Sequence, residues 1–338
     1  MKLLVTGGAG YIGSHTALQL IEAGHQIVVL DNLYSGHKWA VPKEATFIEG
    51  DVGNPLIEST LREHHFDGVL HFAAHIEVGE SVNEPAKYYR NNTLSALNLF
   101  DACRKAGVAN VIFSSTAAVY GEPEVELIDE NQPLRPINPY GASKMMSERI
   151  LTDIAAASGG SMKAVILRYF NAAGARPDLK VGQATPRSTH LVKIAAECAL
   201  GVRESMSIYG TNYKTPDGTC LRDYIHVDDL AQAHVKALEY LGASSPARGA
   251  AGESTSIFNV GYGKLYSVRQ VIAAMKKVTG VDFKVIEAAA RAGDSAVLGA
   301  DSSKIRKTLG WKPQYDNLEF ICKTAFDWEK KLRAGFGK

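Results

Sequence analysis

Short apolar runs alternate with longer mixed stretches along the first half of the chain. The runs are Leu3–Thr6, Ile27–Leu30, Thr46–Ile48, Gly68–Phe72, Asn110–Ser114 and Ala164–Arg168. Each has the length of a strand and is too short for a helix. Segments such as Ser14–Ala23 and Asn91–Ala106 between them have helical length and composition. Alternation of this kind predicts an α/β fold with a doubly wound parallel sheet, because parallel neighbours need long crossovers. The pattern then loosens. Pro177–Arg187 reads as a loop and Gly242–Ser256 as a Gly/Ala/Ser-rich connection, and helical patterns resume at Ser267–Thr279 and Leu318–Leu332. The expected division is a first domain over residues 1–170 and a smaller C-terminal α/β substrate lobe over residues 171–338. The two are expected to interleave, with ligand in the crevice outside the strand C-termini.

The first run leads into Thr6-Gly7-Gly8-Ala9-Gly10-Tyr11-Ile12-Gly13. Gly8, Gly10 and Gly13 fit GxGxxG, and Gly7, Gly10 and Gly13 fit GxxGxxG. Glycine serves such a turn by permitting the sharp bend, close approach of a pyrophosphate, and close packing of helix on strand. The pyrophosphate then meets the free N–H groups at a helix N-terminus. A glycine triplet alone is a weak signal, and a plain structural turn is its bland reading. The preceding strand, the following helix and Asp31 at the end of the second run strengthen it. A carboxylate about 20 residues past the glycines suits a ribose 2′-hydroxyl and repels a 2′-phosphate, favouring NAD over NADP. The first domain is therefore expected to be a Rossmann-type NAD-binding domain.

Composition narrows the class further. A chain of 338 residues with 46% apolar residues and a net charge of +1 suits a globular protein with a substantial core. Neither nucleic acid nor an anionic membrane is favoured electrostatically. Cys103, Cys198, Cys220 and Cys322 have no metal-ligand spacing and read as reduced thiols, and no metal is expected. No run is long enough to span a bilayer or act as a secretory signal, so a cytoplasmic location is expected.

Candidate chemistry centres on Tyr140-Gly141-Ala142-Ser143-Lys144. At i and i+4 a tyrosine and a lysine are helical neighbours, roughly 5–6 Å apart at Cβ. A nearby ammonium favours the phenolate and makes Tyr140 a candidate general acid/base. YxxxK alone is common on exposed helix faces. Here it accompanies the glycine turn and Ser114-Ser115-Thr116, whose hydroxyls end a strand and could bond the oxygen of an alcohol or ketone.

With these motifs the chain resembles the extended short-chain dehydrogenase/reductase family and, within it, the UDP-glucose 4-epimerases. Further segments carry the resemblance: Asp31-Asn32-Leu33, His71-Phe72-Ala73-Ala74, Val78-Gly79-Glu80-Ser81 and Tyr88-Tyr89-Arg90-Asn91-Asn92. So do Ser114–Gly121, Asn138–Lys144, Leu167–Asn171 and Gly218–Val227. The resemblance implies a transient oxidation of the sugar at C4 to a 4-keto form by tightly bound NAD, and return of the hydride on the other face. UDP-glucose and UDP-galactose would interconvert, in galactose metabolism. It implies catalytic roles for Thr116, Tyr140 and Lys144, with Lys144 lowering the pKa of Tyr140 and holding the nicotinamide ribose. Cofactor contacts would come from Gly7, Gly10, Tyr11, Ile12, Gly13, Asp31, Asn32, Ser35, Asp51, Val52, Phe72, Ala73, Ala74, Asn91, Tyr140, Lys144 and Phe170. Nucleotide-sugar contacts would come from Thr116, Tyr140, Asn171, His190, Leu191, Ser207, Ile208, Tyr209, Arg222, Arg291, Asp294 and Leu298. A homodimer joined by helices near Ala86–Cys103 and Tyr140–Ala156 is also implied.

The chain departs from the pattern at three places. His75-Ile76-Glu77 stands where many members carry a cofactor-loop lysine, which puts that cationic contact in question. Thr189-His190-Leu191 replaces the Asn-Asn-Leu of some members. Leu298 falls where a residue gates bulky 2-substituents, and is neither a large tyrosine nor small. Action on UDP-N-acetylglucosamine or UDP-pentoses therefore stays open as an alternative. A 4,6-dehydratase is disfavoured because Ala117-Ala118 cannot move protons, and a decarboxylase for a similar reason. A non-catalytic NAD-binding protein is disfavoured by the intact Thr116, Tyr140 and Lys144. His64-His65 reads as a solvated helix end, His226 as a structural histidine beside Asp228, and Phe100, Phe113 and Phe320 as core.

Overall fold

The structure is a computed structural model that describes residues 1–185, 188–242, 254–291 and 294–335. Seven strands form one sheet: β1 (Lys2–Thr6), β2 (Gln26–Asp31), β3 (Thr46–Glu49), β4 (Gly68–His71), β5 (Asn110–Ser114), β6 (Lys163–Tyr169) and β7 (Thr255–Val260). Their order is β7-β6-β5-β4-β1-β2-β3, and every pair is parallel. The strand order reverses between β1 and β4, which opens a crevice at their C-terminal ends. Successive residues alternate between two apolar cores, as a pleated strand requires. Leu3, Val5, Ile27, Val29, Leu70, Ile112 and Val165 face one core. Leu4, Val28, Val69, Val111, Phe113 and Ile166 face the other.

The helices used below are α1 (Tyr11–Glu22), α2 (Ser95–Ala106), α3 (Pro139–Ala157), α4 (Leu191–Ala199), α5 (Val227–Gly242), α6 (Val268–Thr279) and α7 (Leu318–Arg333). The single helix expected over Asn91–Ala106 is divided: a π-helical stretch, Tyr89–Leu94, precedes α2. There the buried Asn92 side chain bonds both backbone polar groups of His75 and the Ser143 hydroxyl, tying the loop after β4 to α3.

β7 was not among the expected strands. Thr255 and Ser256, assigned to the Gly242–Ser256 connection, begin it. Residues 243–253 of that connection, and 186–187 of the Pro177–Arg187 loop, lie outside the described residues. The smaller lobe is built on strands Asn171–Ala173, Leu221–His226, Leu265–Ser267 and Val297–Ala300, joined by Leu127–Ile128 from the first half. Ser205–Tyr209 pairs separately with Lys284–Ala288. A cut between residues 170 and 171 therefore separates the lobes only in part. β7 returns to the large sheet, and Leu127–Ile128 leaves it for the small one. The first core also runs without a break from β1 and β6 into α4, α5, α6 and α7.

Phe100 and Phe113 are core residues, but Phe320 is half-buried, stacked on Tyr315 and against His226. His226 is structural: its ring accepts from the Asp228 N–H and contacts the Thr324 hydroxyl, and burial lowers its pKa to about 4. His65 ends its helix in a left-handed conformation. No described helix is long and apolar enough to cross a membrane.

Candidate active site

The turn between β1 and α1 leaves no room for side chains. Gly7 has φ +71°, and a Cβ there would lie 2.6 Å from the Ala73 nitrogen. A Cβ on Gly13 would lie 2.2 Å from the Gly7 carbonyl oxygen. At the glycines the chain thus passes from β1 into α1 as bare backbone, and the first-turn N–H groups have no intrahelical acceptor. Asp31, at the end of β2, accepts from the N–H of Ala9 (3.0 Å) and of Leu33 (2.8 Å), which fixes its carboxylate against the turn. Burial raises its pKa, partly opposed by those two bonds. This cradle and its fixed carboxylate fit the pyrophosphate and ribose of a dinucleotide.

The other expected cofactor positions surround the same strand ends. Asn32 donates to Asp51 at 2.8 Å, Val52 is buried beside it, and Ser35 is exposed on the loop after β2. Phe72, Ala73 and Ala74 follow β4, where the Phe72 N–H bonds the Thr6 carbonyl at 3.0 Å. Asn91 lies in the π-helical stretch, its amide on Asn92. Tyr11 gives its hydroxyl to the Gly174 carbonyl at 2.6 Å, across the lobes, which leaves its backbone as the part free to meet a ligand.

The three hydroxyls at the end of β5 and just past it have different partners. Ser114 bonds the Tyr169 hydroxyl, and Ser115 bonds Glu148. Thr116 accepts from the Ala118 N–H at 3.1 Å and lines the central cavity together with Tyr140. Tyr140 and Lys144 both lie on α3, whose N-cap Asn138 accepts from the Gly141 N–H. The Lys144 ammonium donates to the Ser114 carbonyl at 2.8 Å and sits 4.8 Å from the centre of the Phe113 ring. Burial lowers its pKa to about 7, opposed by the charge of Glu148.

The Tyr140 phenol behaves differently from the sequence expectation. Burial pushes it up to about 12, the Thr116 hydroxyl pulls it down, and the charge of Glu77 pushes it up again. The expected lowering by Lys144 is not found, because the ammonium is itself desolvated and turned to the Ser114 carbonyl. A buried cluster unforeseen from the sequence supports this turn from behind. Arg168 on β6 forms a bidentate pair with Glu148 of α3, and its guanidinium reaches the Tyr120 hydroxyl at 3.0 Å. Tyr120 and Arg168 lie in segments that carry the resemblance but Glu148 does not, and the three meet only once α3 packs on the sheet.

The central cavity has a volume of about 1020 Å³ and lies between the lobes. Of the expected nucleotide-sugar positions, Thr116, Tyr140, Asn171, His190, Leu191, Ser207, Tyr209, Arg222, Arg291, Asp294 and Leu298 line it. Ile12 and Phe170 join them from the cofactor set. Ile208 does not. Its side chain alternates inward on Ser205–Tyr209 and is buried in the core, so only its backbone is available. Arg222 is held by the carbonyls of Leu221 (2.9 Å) and Ala296 (3.4 Å). Arg291 lies over the Tyr209 ring at 3.6 Å, and its hydrogen bond lowers the pKa of that phenol. His190 shares a 2.6 Å contact with the Gln183 amide, and burial lowers its pKa. Among the described residues no cluster of His, Cys, Asp and Glu could hold a metal ion.

A parallel sheet with a glycine cradle at its switch point, and a Tyr/Lys helix facing a two-lobed cavity, define a Rossmann-fold enzyme of the tyrosine–lysine type. The sequence comparison narrows this class: the chain matches the NAD dependent epimerase/dehydratase family over residues 3–261 and belongs to it. It is 48% identical over 338 residues to a UDP-glucose 4-epimerase of Azospirillum brasilense, covering 100% of this chain and 94% of the relative. Among solved structures, it resembles the UDP-Glc/GlcNAc 4-epimerase of Campylobacter jejuni, with 50% identity, TM-score 0.83 and coverage of 98% and 99% of the two chains. It also resembles UDP-glucose 4-epimerase from Brucella ovis in complex with NAD, with 43% identity, TM-score 0.90 and coverage of 96% and 97%.

Proposed function

We propose that this chain is a UDP-glucose 4-epimerase, an NAD-dependent isomerase that interconverts UDP-glucose and UDP-galactose. The observation that carries the reading is the convergence of Thr116, Tyr140, Arg222 and Arg291 on one cavity beside the glycine cradle. NAD, when bound, supplies the acceptor and donor of a hydride at the sugar C4. Tyr140 takes the proton from the 4-hydroxyl and returns it, and the Thr116 hydroxyl holds that oxygen in place. The same Thr116 contact favours the phenolate against the cost of burial. Arg222 and Arg291 suit the diphosphate, since each guanidinium offers a fork of donors. Asp31 selects NAD over NADP, and Lys144 anchors the nicotinamide ribose. Ala117 and Ala118 carry no acid or base that could expel water from the sugar, which separates the site from a dehydratase.

In this reading two copies pair through the π-helical stretch, α2 and α3, where Leu94, Leu97 and Met146 are exposed. Four buried free thiols suit a reducing cytoplasm. The test is to denature the purified protein and identify the nucleotide released. NAD or NADH is expected. Recovery of NADP alone, or a protein that never takes up NAD, would remove the reading.

A further inference from the structure

Two of the departures noted in the sequence meet in space. Glu77 follows the cofactor loop, and its carboxylate accepts a 2.6 Å hydrogen bond from the hydroxyl of Thr189, 112 residues later and in the other lobe. Both side chains line the central cavity, and Thr189 directly precedes His190 and Leu191. Glu77 is also fixed at its backbone. Its carbonyl accepts from the Tyr88 hydroxyl at 2.7 Å and from the Ser81 N–H at 3.0 Å. Its carboxylate stands at the N-cap of the short helix Val78–Asn83 but makes no capping bond there, so it is turned across the cavity.

We propose that Glu77 is a positioning residue with two separable effects: its hydrogen bond to Thr189 holds the His190–Leu191 edge against the nucleotide-binding lobe, and its charge shares the cavity with Tyr140. The first effect belongs to substrate binding. Thr189 is exposed and nothing else named here ties it to the other lobe, so losing the bond frees that edge of the cavity. The second belongs to proton transfer. Glu77 and Tyr140 line the same cavity, and an anion held there disfavours the phenolate. Thr116, Tyr88 and Tyr169 also interact with Tyr140, and its own helix carries the charged Lys144 and Glu148.

The proposal rests on the epimerase reading, and the experiment separates the two. Interconversion of UDP-galactose and UDP-glucose is measured across pH for the wild-type enzyme and for Thr189→Val, Thr189→Ser, Glu77→Ala and Glu77→Gln. Thr189→Val and Glu77→Ala are expected to raise KM about three- to tenfold, the range of one hydrogen bond. Thr189→Ser restores it. Glu77→Gln keeps an acceptor for Thr189 but not the charge. Its KM therefore stays within about twofold of wild type, while the acid limb of its kcat/KM profile moves to lower pH. Unchanged KM in both Thr189→Val and Glu77→Ala, or an unmoved acid limb in Glu77→Gln, would overturn the proposal while leaving the epimerase reading intact. A wild-type enzyme that does not interconvert the sugars would overturn both.

Discussion

At the scale of single residues, the site turns on which polar atoms are already engaged. Ser114 and Ser115 are taken up by Tyr169 and Glu148, so Thr116 is the hydroxyl of the three that reaches the cavity. The run of hydroxyls by itself does not separate the three, because an apolar strand followed by hydroxyls does not say which will find partners; the family resemblance alone singled out Thr116. Leu298 is a second residue whose consequence can be measured. It lines the cavity and packs on the small cluster of Ala117, Val119 and Tyr120. A leucine leaves more room than a tyrosine, yet an N-acetyl group adds several atoms at the sugar 2-position. One methylene-sized misfit is worth roughly 10–200-fold in kcat/KM. UDP-glucose and UDP-galactose are expected to be the best pair. Leu298→Tyr should lower relative activity on the N-acetylated pair by about tenfold or more, and Leu298→Ser should raise it. Identical kcat/KM ratios in all three enzymes would show that Leu298 does not gate the site.

At the scale of elements, the turn from β1 to α1 was legible because its chemistry is local. Glycine spacing, a strand before it and a carboxylate at the end of β2 all lie within one βαβ unit. Strand β7 was hidden for the opposite reason: it pairs with β6 from about 90 residues away, and its start reads as the end of a Gly/Ala/Ser tract, so only tertiary packing identifies it. The turn also yields a paired test. Gly13→Ala would place Cβ 2.2 Å from the Gly7 carbonyl oxygen, whereas a Cβ at Gly24, with φ +86°, meets nothing within 4 Å. Gly24→Ala should cost only the roughly 1–2 kcal/mol of left-handed strain and leave NAD retention unchanged. Gly13→Ala should weaken NAD retention by at least tenfold. Equal NAD content in the two purified variants would contradict the role given to this turn.

At the scale of the whole molecule, the lobes share one core, so the chain is expected to respond to pH as a unit. Burial holds His71 at about 3 and His226 and His234 at about 4, against an ordinary 6.5. These rings stay neutral in the fold but take up protons in the unfolded chain as pH falls below 6.5. Stability from them is present above that pH and is lost on acidification down to their folded values. Asp223 acts oppositely: burial raises it from 3.8 to about 6, so the fold binds its proton first. Over these four groups alone, three histidines against one carboxylate leave about two extra protons on the unfolded chain near pH 5, each worth about 1.4 kcal/mol per pH unit; His25, His75 and His190 are lowered as well, and Asp31, Glu130 and Asp229 raised. The denaturant midpoint should therefore be clearly lower at pH 5 than at pH 7, and an equal or higher midpoint at pH 5 would contradict this account. The sequence read His226 as structural from its neighbour Asp228. It could not show that His71 would sit on the Thr6 hydroxyl at 2.7 Å at the C-terminal ends of the strands, because that contact joins β1 to β4.

The claim on which the rest depends is that the cavity performs a self-contained epimerisation with Tyr140 as its proton carrier. The most direct measurement incubates the purified protein with UDP-galactose, with no nucleotide added, and resolves the sugars chromatographically for the wild type and Tyr140→Phe. The account predicts steady formation of UDP-glucose by the wild type without consumption of NAD. It predicts a loss of several orders of magnitude in kcat for Tyr140→Phe, with UDP-sugar binding nearly retained, since only the proton-carrying oxygen is removed. A wild-type enzyme that makes no UDP-glucose, or a Tyr140→Phe enzyme that works at near wild-type rate, would contradict it.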